Sequence, residues 1–388
     1  MQPSGVCTLY STLSKPLKYY IIVGESSGDL YGGLLMSKIR DLDPEASFKF
    51  WGGPEMRKHS SGQLKSIKET SFMGFWEVAK NANKIKGFFD FAKYSINEFA
   101  PDIVLFIDYP GFNLRMMRWA KEAGYKTAYY ISPQLWAWKE KRHKILRDKA
   151  DLFFVILPFE RDFYKNLDTP CQYIGHPLVE IIQENKSEIP PQIQRIGLFP
   201  GSRRQEIEKH LPTLLTFAAA QKEHSFVIAG VSHIPKSFYL DNIDRYAPNI
   251  DIVYDQPYEV MRHIDFAISS SGTATLELAL FEVPQIVIYK TSPLSFMIAK
   301  RLVKTKYISL VNLIAQKEVV PELLQDAFNE SALKEYFLKM KTIAHRQAIC
   351  NKYKAIRKEL GQGTASAQVA QSVVQFLKKE STNATTSS

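Results

Sequence analysis

The sequence predicts an α/β chain with two Rossmann-like, doubly wound domains facing a cleft, and three observations predict it. Short apolar runs such as Tyr19–Val23, Ile103–Ile107 and Ile196–Phe199 each lead into a Gly- or Pro-containing turn and then into residues at helical spacing. That is the rhythm of buried parallel strands joined by crossover helices. The rhythm restarts after the polar stretch "IIQENKSEIPPQ", which reads as a linker. A chain of 388 residues also exceeds one small core, at roughly 150 residues per domain. The boundaries drawn are 18–184 for the first domain and 193–345 for the second. Helices over 346–380 are expected to cross back to the first domain, and 381–388 to form a disordered tail.

Taken in order, "YYIIV" is a strand and "GESSGDLYGGLLMSKIRDL" a glycine-containing loop and helix. Its glycines do not fall as G-x-G-x-x-G, and Glu25 and Asp29 would repel a pyrophosphate. These two carboxylates suit sugar hydroxyls better. "FKFWGGPEM" repeats the strand-then-glycine pattern. The stretch from Phe72 to Phe99 breaks the rhythm: Phe72, Phe75, Trp76, Phe88 and Phe89 are interleaved with Lys80, Lys84, Lys86 and Lys93. A basic helix with an aromatic face lies in a membrane interface or covers acyl chains, although packed core helices with solvated lysines give the same pattern. "PDIVLFIDYPGFN" places Asp108 at a strand end, where parallel sheets meet their ligands. Trp136 and Trp138, followed by Lys139, Lys141, Arg142, His143 and Lys144, form a second aromatic and basic cluster.

In the second half, "LFPGSRRQE" and "SSSGTATLE" both read as strand, turn and helix start. Backbone N–H groups and the dipole at a helix start attract anions, and arginine adds a fork suited to phosphate. Two such turns suggest a nucleotide diphosphate held between them. An ordinary loop with solvated arginines is the alternative for "GSRR" alone.

Bulk composition sets the limits. Apolar residues at 45% and aromatics at 12% exclude a largely disordered chain. A net charge of +10 makes polyanions plausible partners: nucleic acid, anionic membrane or a phosphorylated substrate. Cys7, Cys171 and Cys350 lie far apart with no metal-ligand spacing, which points to a reducing compartment and no disulfide framework. The first residues lack a signal-peptide core, and no apolar run reaches the roughly 18 residues of a spanning helix. A cytoplasmic, soluble or peripheral protein is the expectation.

The motifs "GESSGD", "WGGPEM", "FMGFWEV", "IDYPGFN", "YYISPQLWAWK", "IGHPLVE", "LFPGSRRQEI", "SSSGTATLELALFEVPQIVIYK" and "KRLVKTKYISLVNLIA" occur in this order. Together they closely resemble the lipid-A-disaccharide synthase family, from about Tyr20 to the final helix. Three positions depart from its pattern: Ser26, Gly111 where the family has an acidic residue, and Leu310–Val311 before Asn312. The resemblance implies a GT-B fold and an inverting transfer. The donor is UDP-2,3-diacylglucosamine and the acceptor 2,3-diacylglucosamine 1-phosphate; the products are the tetraacyl disaccharide 1-phosphate and UDP. It also implies a peripheral place on an anionic inner-membrane surface, and leaves a homodimer open.

An inverting transfer needs a base for the acceptor hydroxyl and a stabiliser for the leaving diphosphate. Asp108 is the candidate base, with Glu25 and Asp29 as substitutes. Arg203, with the backbone of Gly201 and Ser202, is the candidate for the diphosphate. Ser271, Gly272 and Thr273 would add donors at the second turn. By resemblance Glu277 takes ribose hydroxyls, and Asn312 and Ser27 are further contacts. Phe72, Phe75, Trp76, Phe88, Phe89, Trp136 and Trp138 are the candidate membrane or acyl contacts. His143 and His176 read as structural, and the Asp41–Asp43 pair as a helix-end cap. No metal, no cofactor and no nucleic acid is expected. The rival readings are a UDP-sugar epimerase of the same fold and a non-enzymatic glycolipid-binding protein.

Overall fold

The computed structural model describes residues 16–70, 82–183, 189–246, 250–293, 296–297 and 305–386. Two all-parallel sheets organise them. The first contains β1 (Lys18–Ile22), β2 (Ser47–Gly52), β3 (Gln63–Ser66), β4 (Ile103–Ile107), β5 (Thr127–Tyr130), β6 (Leu152–Val155) and β7 (Gln172–Tyr173). Its spatial order is β3-β2-β1-β4-β5-β6-β7. The second contains β8 (Arg195–Phe199), β9 (Ser225–Gly230), β10 (Ile250–Tyr254), β11 (Phe266–Ser270), β12 (Gln285–Tyr289) and β13 (Glu322–Leu324), ordered β10-β9-β8-β11-β12-β13. The apolar runs of the sequence are the central strands: Ile103–Ile107 and Phe266–Ser270 are buried throughout, as strands covered by helices on both faces must be.

Each order reverses once. In the first sheet the chain departs in opposite directions from β1 and β4; in the second, from β8 and β11. Between two such strands the outgoing loops part and leave a crevice at the carboxyl ends. The loops at these two crevices carry the Glu25, Asp108, Arg203 and Gly272 segments.

The helices that matter below are α1 (Ser26–Leu42), α2 (Ala82–Phe99), α3 (Pro110–Glu122), α4 (Arg204–Ala219), α5 (Thr273–Leu280), α6 (Leu310–Ala315), α7 (Ile343–Glu359) and α8 (Ala365–Thr386). The last, α8, packs back along α1 and buries Val369, Ala370 and Val373. Arg357 on α7 stitches the crossing: one amino group reaches the Leu280 carbonyl at 3.1 Å and the other the Ile182 carbonyl. Of the stretch 381–388 expected to be a disordered tail, residues 381–386 continue α8, which runs to Thr386. An ion pair from Glu380 to Lys126 tethers that end to the first domain. Among the described residues no helix is long and apolar enough to cross a membrane.

A candidate active site at the two switch points

Asp108 ends β4 with a backbone φ of 47°, and Tyr109 follows at 51°. Two consecutive left-handed non-glycine residues are strained, and such strain persists only where neighbours fix it. Here the Asp108 N–H donates to the Tyr130 carbonyl at 2.9 Å. Its own carbonyl accepts from the Tyr129 hydroxyl at 2.7 Å and from Asn113 Nδ2 at 2.8 Å. Burial first, and then the charge of Glu25, push the Asp108 carboxyl up to about 7, against a partly offsetting Tyr109 backbone bond. A carboxylate held near neutrality is suited to taking a proton.

Glu25, in the loop after β1, is exposed and spans the cleft. Its Oε1 lies 3.9 Å from Arg203 Nη2 of the second domain. Ser27 is half-buried in the first turn of α1. Asp29 has a different task from the sugar contact or substitute base expected of it. It is buried, and its carboxylate accepts from the N–H groups of Gly53 (2.6 Å), Glu55 (2.9 Å) and Met56 (3.2 Å). It caps the short helix after β2.

The two turns of the second domain differ. At the first, Gly201 has φ +124°, a conformation open to glycine, and an added Cβ would meet Glu206 Oε2 at 2.6 Å. That carboxylate oxygen lies over the turn, 3.3 Å from the Ser202 N–H and 3.4 Å from the Arg203 N–H. The amides expected to cradle a diphosphate are thus already capped by the protein's own anion. The Arg203 side chain remains exposed, 3.9 Å from both Glu25 and Glu206. Beneath the turn, His210 is fully buried, its Nδ1 at 2.7 Å from the Pro200 carbonyl and its Nε2 at 2.9 Å from the Lys290 N–H. Burial lowers its pKa, and these bonds require the neutral Nδ1–H tautomer, which donates to Pro200 and accepts from Lys290.

At the second turn, Ser271 is spent on structure: its N–H donates to the Ile288 carbonyl and its hydroxyl to that of Ile308. Gly272 and Thr273 are exposed, and a Cβ at Gly272 would meet nothing within 4 Å. This start of α5 has no carboxylate in its first turn and no side-chain cap, so no acidic side chain covers its amides. Glu277 lies one turn further on. Its carboxylate accepts from the Tyr258 hydroxyl at 3.0 Å, and burial pushes it up to about 7 despite that bond. Burial first, and then the charge of Glu277, hold the Tyr31 phenol of α1 well above its ordinary value.

Asn312 also departs from expectation. It is fully buried on α6, Nδ2 donating to the Val320 carbonyl and to Glu322 at 2.8 Å each, Oδ1 accepting from the N–H groups of Val319 and Val320. Its amide is consumed in holding β13 to α6. Among the expected membrane contacts, Phe72, Phe75 and Trp76 lie outside the described residues. Phe88 is buried against Trp51 at 5.9 Å, and Phe89 stacks on Phe112 at 4.4 Å. Trp136 donates to the buried Glu160 at 3.2 Å, whereas Trp138 is half-exposed beneath the Lys139 ammonium at 4.2 Å. Phe88, Phe89 and Trp136 therefore serve the first domain's interior. Among the described residues no cluster of three His, Cys, Asp or Glu groups could hold a metal ion.

Sequence reasoning missed Glu206 and His210. Glu206 carried a signal, since a Glu three residues after a helix N-cap is the capping-box position. His210 carried none beyond its place on α4.

Two parallel-sheet, Rossmann-like domains, with a buried carboxylate at the switch point of one and an arginine at that of the other, place the chain in the GT-B fold class. Solved structures share the fold. UDP-GlcNAc 2-epimerase from Neisseria meningitidis bound to UDP-GlcNAc matches at TM-score 0.63 and 12% identity, covering 92% of this chain and 100% of that one. The glycotransferase of kitacinnamycin matches at 0.62 and 11%, covering 93% and 99%. Sequence narrows the class. The family model for lipid-A-disaccharide synthetase matches residues 19–375, and the chain belongs to that family. Lipid-A-disaccharide synthase of Trichlorobacter lovleyi is 35% identical over 95% of this chain and 99% of its own, and that of Geobacter sulfurreducens 34% over 93% and 97%. That of Coxiella burnetii is 33% identical over 91% and 96%. The chain is a glycosyltransferase. The epimerase alternative has only fold likeness behind it.

Proposed function

We propose that the chain transfers 2,3-diacylglucosamine from its UDP donor to 2,3-diacylglucosamine 1-phosphate, forming the lipid A disaccharide 1-phosphate and UDP. The acceptor oxygen bonds to the donor's anomeric carbon as the bond from that carbon to the diphosphate breaks, and the acceptor proton passes to the Asp108 carboxylate. Arg203 and the open α5 start take the charge that develops on UDP, and Glu277 receives ribose hydroxyls. The supporting observation is the reach of Glu25. It touches Arg203 across the cleft and raises Asp108 on its own side, so base and phosphate groups share one space.

Both substrates are acylated, and the protein works at the cytoplasmic face of the inner membrane. What supports this on the first domain is the α2 surface, where Lys86 and Tyr94 are exposed. Each basic residue near an anionic bilayer contributes about 1 kcal/mol.

Incubating both glycolipids with the full-length protein and reading disaccharide and UDP by mass spectrometry tests the reaction. Asp108→Ala is expected to lower turnover by about two to four powers of ten while UDP binding persists. Near-normal turnover would move the base elsewhere.

A further inference from the structure

The function above uses the Arg203 side chain and the open start of α5, and leaves the buried histidine of the second domain without a task. His210 lies on α4, the helix that Arg203 caps, and is fully buried. Its ring stands edge-on to Phe328 at 5.7 Å and tilted against Tyr289 at 6.4 Å, packing that fixes the plane of the imidazole. Its Nδ1–H donates to the Pro200 carbonyl at 2.7 Å, and its Nε2 accepts from the Lys290 N–H at 2.9 Å.

These two partners belong to different strand ends. Pro200 follows β8 and opens the turn that carries Arg203, whereas Lys290 follows β12. In the sheet the two strands are not neighbours, since β11 lies between them. Ladder bonds therefore do not join their ends, and the imidazole does so across β11. The bridged strand leads into the second turn, where the Ser271 N–H donates to the Ile288 carbonyl of β12 at 3.0 Å. The β12 end is also held from β13: the Gln325 amide accepts from the Thr291 N–H at 2.7 Å and donates to the Thr291 carbonyl at 3.3 Å. Through one ring and one strand end, the Arg203 turn is tied to the turn that begins α5.

Joining a carbonyl to an N–H takes a donor on one side and an acceptor on the other, and a neutral imidazole offers both at a fixed separation. A buried network with every member paired is rigid. Glu206 takes the Ser202 and Arg203 N–H groups, so the backbone of the turn is fixed and the Arg203 side chain is what it presents.

We propose that His210 is a positioning residue for the transfer. By locking the Arg203 turn to the end of β12, it sets the separation between the arginine and the open α5 start that together receive the leaving diphosphate. This rests on the function proposed above for those two groups.

The test places His210→Leu, and separately His210→Asn, in the full-length protein with and without Arg203→Gln. Leucine makes neither bond, and asparagine is too short to reach from Pro200 to Lys290. With Arg203 present, each variant should lower kcat by about 10- to 100-fold, the scale for a displaced group, and leave the acceptor KM unchanged. UDP, followed by calorimetry, should bind about tenfold more weakly, and uridine, which has no diphosphate, as in wild type. In the Arg203→Gln background both losses should shrink to less than about twofold, because residues that act through one another are not additive. Wild-type kcat in either folded variant, the same loss with and without Arg203, or an equal loss of UDP and uridine would overturn the assignment. So would circular dichroism showing that neither variant folds, which would leave His210 a folding residue. If wild type binds UDP but forms no disaccharide, the transfer reading fails separately and the UDP arm decides His210 alone. A wild type that does not bind UDP overturns both.

Discussion

The two βα turns of the second domain read almost alike as sequence, glycine beside serine at a strand end with a glutamate four to five residues on, yet they finish in opposite states. Around Gly201 the glutamate folds back and caps the turn's own amides. Around Gly272 the glutamate points away to Tyr258 and the helix start stays open. The difference comes from spacing. Glu206 is the third residue after the Arg203 N-cap, where a side chain reaches back over the first turn. Glu277 is the fifth residue after Gly272, beyond such reach, and its carboxylate accepts instead from the Tyr258 hydroxyl. In the proposed reaction one turn is a rigid mount for the Arg203 side chain, and the other a receptor for negative charge.

The widest break in this symmetry should appear in catalysis. Arg203→Gln removes the charge that the rigid turn presents, and kcat should fall by about 10²–10³, the usual loss for one donor to a developing anion. Thermal stability should hardly move, because the side chain is exposed. A variant with wild-type kcat would mean that the open turn alone carries the leaving group.

Next in size is Glu277→Gln. UDP affinity, followed by calorimetry, should weaken roughly tenfold through loss of a charged acceptor. Uridine should lose as much affinity as UDP, since the contact is to the ribose. Equal binding by variant and wild type would remove Glu277 from the nucleotide site.

A matched glycine pair then separates mount from receptor. Gly201→Ala forces a side chain into a left-handed turn and against Glu206, costing about 1–3 kcal/mol, visible as a lower Tm. Gly272→Ala meets open space at extended backbone, so its stability should stay within about 0.5 kcal/mol of wild type. Its UDP affinity should fall instead. A destabilised Gly272→Ala or a fully stable Gly201→Ala would undo the distinction.

The contrast also marks how far the sequence could be read. The strands and the places of Asp108, Arg203 and Glu277 follow from apolar runs ending at glycine or proline, because a doubly wound sheet presents its strand ends to the ligand. Whether a polar side chain stays free was not legible. Asp29 is consumed by amides 24 to 27 residues away and Asn312 by amides seven and eight away, and no local pattern announces such partners. Phe88 and Phe89 depart from the expected membrane contact for a related reason. Aromatics and lysines share α2, and only packing against Trp51 and Phe112 decides that Phe88 and Phe89 point inward.

The smallest expected effect joins the two halves. As the proposed base Asp108 works ionised, so kcat/KM should fall tenfold per pH unit below about 7 and level off above it. Burial is the larger cause of that raised value and Glu25 the second. Glu25→Gln removes a negative charge, so Asp108 ionises more readily and the acid limb should move to lower pH. The expected displacement is a few tenths of a unit to about one unit. The limb should stay above the ordinary carboxylate range, because burial is untouched. Glu25 is exposed, so salt should mimic the substitution: at about 1 M ionic strength the Debye length is near 3 Å, and the wild-type limb should approach that of the variant. A limb that ignores both Glu25→Gln and salt would mean the two loops do not communicate through charge. A limb that disappears in Asp108→Asn but shifts in Glu25→Gln would assign the proton to Asp108 and the tuning to the residue that reaches across to Arg203.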